Sequence, residues 1–384
     1  MSNIKCQMAN INSLKIALVH DYLKEFGGAE RVLMALHEIW PEAPIYTIFC
    51  KKASSSAKIF KEAKIIESWF AKLPFCDRLM SPFRFLIPLI WKSFDFSQFD
   101  LVISSASWAV TKGFLPSSRL GGITARQHGG VEVCYCHTPP RYLYGYETSR
   151  SWKTSVFVRI YAAVVNHFMR MYDFKQSQKV TYFIANSREV QQRIKKFYRR
   201  ESVVINPPVD LPKFTIHNSK VDYFLTGGRL EKPKNFDLII KACNKLKIPL
   251  KIYGAGSQEN YLKSISGPTI DFLGRVSDEE KFFLMAEAIA FIVMAEDEDF
   301  GITPVEAMAC GTPVIACRGG GYKETVIEGK TGVFVEKATE ESLISKLQDF
   351  KASGFKPEDC RKQAERFAKK RFKKEMKTLV EKYA

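Results

Sequence analysis

The sequence predicts an α/β protein made of two doubly wound domains in tandem, and three observations carry that prediction. Short apolar runs of strand length alternate with stretches of helical periodicity, the pattern of parallel sheets covered on both faces. The alternation halts at Pro207-Pro208 and a polar stretch, Ile216 to Lys220, then restarts at Tyr223-Phe-Leu-Thr-Gly-Gly228. A chain of 384 residues is also too long for one ordinary core and suits two.

The first domain opens as strand, loop and helix: Leu14-Lys-Ile-Ala-Leu-Val-His20, then Gly27-Gly28, then helical spacing from Ala29 to Trp40. Further strands fall at 43–49, 101–105, 131–136, 182–185 and 203–206. After the restart comes a helix, Phe236 to Leu246, followed by strands at 250–253, 270–273, 290–294, 313–316 and 333–335. The domains divide near 208–220, giving 1–210 and 211–360. Phe367, Phe372, Met376 and Leu379 recur at helical spacing among lysines and arginines, which predicts an amphipathic helix over 361–384.

Composition excludes several classes. Apolar residues make up 46% and charged residues 26%, which are globular values. No apolar run reaches the roughly 20 residues of a membrane helix, and no charged-then-apolar leader stands at the start, so a cytoplasmic protein is expected. Nine scattered cysteines read as reduced thiols. The net charge of +17 is uneven: 29 Lys and Arg against 16 Asp and Glu in 1–210, 19 against 22 in 211–360, and 10 against 3 in 361–384. Such a field suits nucleic acid, anionic lipid or a phosphorylated ligand, and charge alone does not choose among them. No nucleic-acid-binding module accompanies it.

Residues 296–317 carry the most specific pattern. Thr303 reads as an N-cap, Pro304 as N1 and Glu306 as N3, a capping box that starts a short helix ending at Gly311. Just before it, Phe300-Gly301-Ile302 offers backbone N–H groups at a helix N-terminus, which suits an anion. A capped helix does not account for Glu298, eight positions before Glu306.

That segment resembles the E-x7-E signature of retaining family-4 glycosyltransferases, which have the GT-B fold: two Rossmann-like doubly wound domains facing across a cleft. Other segments resemble the family in order: Gly27-Gly-Ala-Glu-Arg-Val32, Cys136-His-Thr-Pro-Pro-Arg-Tyr142, Asn206-Pro-Pro-Val-Asp210, Gly227-Gly-Arg-Leu-Glu-Lys-Pro-Lys234 and Phe272-Leu-Gly-Arg-Val276. The nearest subgroup is that of the O-antigen mannosyltransferases using GDP-mannose. Thr181-Tyr182 departs from it, where an Asp often stands, and 146–180 fits loosely. The resemblance also implies that the terminal helix packs back on the first domain.

The resemblance implies a role for each matching residue. Arg229 and Lys234 form a cationic clamp on the leaving phosphate, where negative charge grows. Gly27, Gly28 and Gly228 let backbone approach the donor. Arg275 and Val276 lie at the base, while Phe300, Gly301, Ile302 and Thr303 line the donor site. Glu306 accepts from the ribose, Glu298 contacts the transferred sugar, and His137 contacts it too. Double displacement would need a carboxylate nucleophile, and no second candidate stands out. The resemblance implies front-face transfer instead, from GDP-mannose before a UDP-sugar, to a lipid-linked saccharide or glycolipid. The expected location is the inner face of a membrane.

No cofactor beyond the nucleotide-sugar and no metal is expected. Cys134, Cys136 and His137 lack the second half of a zinc site, and Asp297-Glu-Asp299 lies inside the E-x7-E segment. Gly254-Ala-Gly256 lacks the rest of a dinucleotide fingerprint. Residues 58–92 interleave lysines and arginines with Trp69, Phe70, Phe75, Phe83, Phe85 and Trp91. Two readings of that segment stay open, a membrane-surface patch and an insertion packed inward. The rivals to a glycosyltransferase are an epimerase of the same fold, a basic nucleic-acid-binding protein, and a non-catalytic membrane scaffold.

Overall fold

The computed structural model describes residues 14–115, 130–148, 155–212 and 221–383. The polar stretch at 216–220 lies outside them. The chain forms two compact units. Described residues up to 148, 155–208 and 370–383 belong mainly to the first, and 209–369 to the second.

The first unit holds a seven-stranded parallel sheet. Its strands are β1 (Ile16–His20), β2 (Ile45–Thr47), β3 (Ile65–Glu67), β4 (Leu101–Ala106), β5 (Val131–Cys136), β6 (Tyr182–Ala185) and β7 (Val203–Val204), in spatial order β3-β2-β1-β4-β5-β6-β7. The second unit holds six parallel strands: β8 (Phe224–Arg229), β9 (Leu250–Ala255), β10 (Ile270–Gly274), β11 (Phe291–Val293), β12 (Val314–Cys317) and β13 (Gly332–Val335). Their order, β10-β9-β8-β11-β12-β13, repeats the scheme of the first sheet. In each, the chain reverses its direction of travel beside the opening strand, at β1/β4 and at β8/β11. Crevices at the carboxyl ends of such strand pairs are where doubly wound sheets bind ligands.

β1, β4 and β5 are buried along their whole length, as apolar runs covered on both faces require. The short edge strand β3 and the long helix Val156–Ser177 had no clear sequence signal. That helix is anchored by a buried ion pair, Asp173 with Lys112, and by Tyr144 Oη donating to Asp173 at 2.7 Å. Its outer face stays apolar and exposed, so no clean amphipathic stripe marks it in the sequence.

The terminal segment differs from expectation. It forms two helices, Pro357–Glu365 and Lys369–Tyr383. Cys360, Ala364 and Phe367 join the core of the second unit, so residues 361–369 stay there. Phe372, Met376, Leu379 and Val380 enter the core of the first unit beside Leu18, Leu36 and Tyr135. Lys373 pairs with Glu38 at 2.5 Å, and Arg371 donates to the Asn206 carbonyl at 2.8 Å. The aromatics of 58–92 divide: Phe70 and Trp91 are core, while Trp69, Phe75, Phe83 and Phe85 are exposed.

Candidate active site

In the second unit the site residues follow the carboxyl ends of β8, β10 and β11. Gly228 and Arg229 end β8 and pair with Gly254 and Ala255 of β9. A Cβ on Gly254 would stand 1.9 Å from the Gly228 carbonyl, so only glycine allows this approach. Arg229 is exposed at the strand end. A single 3-10 turn, Lys232–Lys234, follows, and Asn235 holds it in place by donating to the Met294 carbonyl beyond β11 at 3.0 Å.

This anchoring puts Lys234 in an ion pair with Glu298. Tyr322 Oη donates to the same Glu298 oxygen at 3.4 Å, and the Glu298 carbonyl accepts from Gly321 N at 2.8 Å. The loop bearing Glu298 packs directly on Gly319-Gly320-Gly321. A Cβ at Gly320 would lie 2.1 Å from the Glu298 carbonyl, and one at Gly321 2.4 Å from Phe300 Cα. Lys234 and Glu298 are thus brought together. Arg229 has no ion pair among the described residues.

The helix after Glu298 spans Ile302–Ala309, and its start corrects the expected capping box. Gly301, with φ of 90°, is the N-cap, and Thr303 and Pro304 are already inside the helix. A left-handed backbone at 301 turns the chain around Tyr322, whose ring would meet a Cβ there at 2.7 Å. Glu306 therefore does not reach back to a cap. It is buried, and its Oε1 lies 2.8 Å from Lys281 Nζ. Lys281 also contacts Asp278 at 2.9 Å and comes from the helix Asp278–Glu287, capped by Ser277. The Phe300 side chain is core, stacked edge-on against Phe367 at 5.3 Å, so only its backbone is offered to a ligand. Ile302 and Thr303 are half-buried, Val276 packs on the core and Arg275 is exposed beyond Gly274.

Sequence reasoning missed Lys281, Asn235, Gly319 to Gly321 and Tyr322. Their only sequence signal is the triple glycine after β12. The other contacts join residues far apart in the chain, which no local pattern reports.

In the first unit, Gly27 is the N-cap of the helix Gly28–Ile39, and Glu30 Oε2 accepts from its N–H at 2.9 Å. His20 ends β1 and lies opposite Ser105 in β4. His20 Nδ1 is 3.1 Å from Ser105 Oγ, and Ser105 Oγ is 2.8 Å from His137 Nε2. His20 Nε2 lies 3.6 Å from Glu30 Oε1. Burial pushes His137 down to about 4, so it is neutral at pH 7. Burial pushes the Glu30 carboxyl up, but its contact with His20 and the backbone N–H donors outweigh this and hold it below the usual range. Asp21, next along the chain, is a staple: it accepts from Ser107 Oγ at 2.6 Å, Trp108 N at 2.6 Å and Thr111 Oγ1. Cys134 and Cys136 are core thiols, and burial pushes Cys134 up to about 12. Among the described residues no group of three His, Cys, Asp or Glu is placed to hold a metal.

Residues 210–367, nearly the whole of the second unit, match the family model described as glycosyl transferases group 1. The second unit is a glycosyltransferase group 1 domain. An uncharacterized glycosyltransferase of Methanocaldococcus jannaschii is 29% identical over 168 residues, covering 43% of this chain and 48% of that protein. An alpha-1,3/1,6-mannosyltransferase of Dictyostelium discoideum is 28% identical, covering 52% and 56%, so these matches span about half of each relative. The alpha-1,3/1,6-mannosyltransferase of Candida glabrata is 24% identical, covering 83% and 79%. In fold, the chain is similar to Anabaena HepE in complex with UDP and glucose, with a TM-score of 0.65 at 18% identity over 96% and 99% of the two chains. It is similar also to sucrose-phosphate synthase of Thermosynechococcus elongatus, with a TM-score of 0.69 at 16% identity over 96% and 98%. The two Rossmann-like sheets are those of the GT-B fold, and Arg229, Lys234, Glu298 and Glu306 all lie within the matched residues 210–367.

Proposed function

We propose that the protein is a retaining glycosyltransferase that moves a sugar, mannose before others, from a nucleotide-sugar donor to a lipid-linked saccharide or glycolipid. The observation that carries this reading is the Lys234–Glu298 pair at the β8/β11 switch point of a group 1 domain. A cation and a carboxylate meet there on two loops that the fold holds rigidly. In the proposed reaction the bond from the anomeric carbon to the leaving phosphate breaks, and a bond to the acceptor oxygen forms on the same face. The acceptor proton passes to the leaving phosphate oxygen. Lys234 and Arg229 stabilise the charge that grows on the diphosphate, and Glu298 binds the sugar and faces the positive charge at the anomeric carbon. Glu306 accepts from the ribose with the oxygen that Lys281 does not hold, since a carboxylate offers two. In the first unit, His137 offers a ring nitrogen to a sugar hydroxyl. No metal is required in this scheme, because fixed cations occupy its role.

Mannose is supported by the similarity to the two mannosyltransferases; GDP is proposed as the nucleotide because the sequence motifs resemble those of transferases using GDP-mannose. A membrane-bound acceptor is supported by the surface of the first unit. The helix Val156–Ser177 exposes Phe157, Ile160, Val164, Phe168 and Met171. Phe83 and Phe85 are exposed on the neighbouring segment, which the helix meets through Tyr161 Oη donating to the Pro82 carbonyl and through Arg84 donating to Asn166 at 2.9 Å. Apolar side chains set among arginines and lysines suit an anionic membrane surface.

The test is thermal shift with GDP, UDP, ADP and CMP, with and without EDTA. A GDP-selective rise that survives EDTA is expected. A UDP-selective rise replaces the donor, and no rise with any nucleotide overturns the transferase reading.

A further inference from the structure

Four side chains of the first unit form a line that the proposed chemistry does not by itself require: Glu30, His20, Ser105 and His137. They come from three places in the sequence and meet because β1, β4 and β5 are neighbours in one sheet. His20 and Ser105 are paired in register across the β1/β4 switch point, and His137 follows β5, with its N–H bonded to the Ala106 carbonyl at 2.9 Å. His20, Ser105 and His137 are all buried. Polar groups bonded in series inside a protein must agree on who donates and who accepts.

We propose that Glu30, His20 and Ser105 are positioning residues that fix which nitrogen of His137 carries the proton, leaving Nδ1 as the acceptor presented to substrate. The direction follows from one end. Glu30 is a carboxylate, which only accepts, and its Oε2 is already engaged by Gly27 N. Its Oε1, 3.6 Å from His20 Nε2, is too far for a direct hydrogen bond but orients the His20 proton onto Nε2 electrostatically. With His20 in its neutral form, Nδ1 bears a lone pair and accepts from the Ser105 hydroxyl at 3.1 Å. Ser105 has one proton and has given it away, so its oxygen accepts from His137 Nε2 at 2.8 Å. A neutral imidazole carries one proton, and in His137 it is spent on Ser105. Nδ1 is left with a lone pair, fit for a hydroxyl that donates. The other charged group beside the line, Asp21, has both oxygens taken by Ser107, Trp108 and Thr111, and does not compete.

The inference rests on the proposed sugar contact of His137 for its consequence, but not for the proton order, and the two are tested apart. The full chain is labelled with ¹⁵N-histidine, and the His137 signals are assigned by their loss in His137→Gln. Long-range ¹H–¹⁵N spectra at pH 7.5 then read the tautomer. The expected result is a single tautomer with the proton on Nε2, mixed tautomers in Ser105→Ala, and the single one restored in Ser105→Thr. A proton on Nδ1 in the wild type, or an unchanged spectrum in Ser105→Ala, overturns the proposal. In turnover assays below the Tm of each variant, kcat/KM for the nucleotide-sugar should fall about tenfold in Ser105→Ala and recover in Ser105→Thr. If the tautomer behaves as stated while turnover does not change, the proton order stands and the sugar contact of His137 is overturned.

Discussion

Lys281 Nζ lies 2.8 Å from Glu306 Oε1, and both side chains are buried. The residue proposed to hold the ribose is thus itself held by a cation from a helix that the E-x7-E motif does not include. Removing one member of such a pair leaves a buried charge without compensation. Lys281→Met should cost about 3–5 kcal/mol of unfolding free energy in urea titrations. Lys281→Met with Glu306→Leu should cost less than Lys281→Met alone. A simple sum of the two single losses would mean the pair does not act as a unit.

Lys234 and Glu298 differ from that pair, because Lys234 is one third exposed. Their contact adds little to stability. Lys234→Ala should leave Tm nearly unchanged and lower kcat by about 10²–10³-fold, the scale of losing one fixed charge at a developing anion. Single-turnover kinetics with saturating donor check this.

Acid should weaken the first unit through His137. Its folded form stays neutral down to about 4, whereas the unfolded chain binds a proton near the ordinary value of 6.5. Between those values the unfolded state holds more protons, so stability rises with pH and falls as pH drops through the window. The contribution is about 3 kcal/mol across it, at about 1.4 kcal/mol per unit. Urea titrations from pH 7 to pH 4 should show a flatter acid limb in His137→Gln.

Gly320 has φ of 49°, and its missing Cβ makes room for the Glu298 carbonyl. Gly320→Ala should displace the Glu298 loop, lower Tm and abolish most turnover. Gly228, with φ of 126° and open space around it, should show only the cost of its backbone conformation when changed to Ala. Comparing the two variants by Tm and kcat separates collision from strain.

Phe157 and Phe168 lie exposed on the helix Val156–Ser177 and touch no core cluster. Changing both to Ser should leave Tm unchanged and reduce co-sedimentation with phosphatidylserine-rich vesicles several-fold. Equal binding before and after would remove that helix from the membrane reading.

The sheets were legible because buried parallel strands are written as short apolar runs. Ile16–His20, Val131–Cys136 and Val314–Cys317 could each be read from a few consecutive residues. Strand order was not legible, since it depends on which runs pair. The E-x7-E residues could be found through a local motif, but their setting could not. Gly301 rather than Thr303 caps the helix because Tyr322 and the triple glycine, about 20 residues on, dictate the turn. Lys281 escaped notice because it is one lysine among 58 basic residues, distinguished only by where its helix lands. The histidine line was hidden in the same way, its members being 32 and 85 residues apart.

The helix that begins at Lys369 has a bearing on how the protein is made. Phe372, Met376 and Val380 complete the core around Leu18 and Leu36, yet the ribosome adds them only after the whole second unit. Until then the apolar side chains that they cover in the first unit lack that cover, whereas the second unit draws nearly all of its residues from the continuous stretch 209–369. The first unit to be translated is therefore the last to have its core completed.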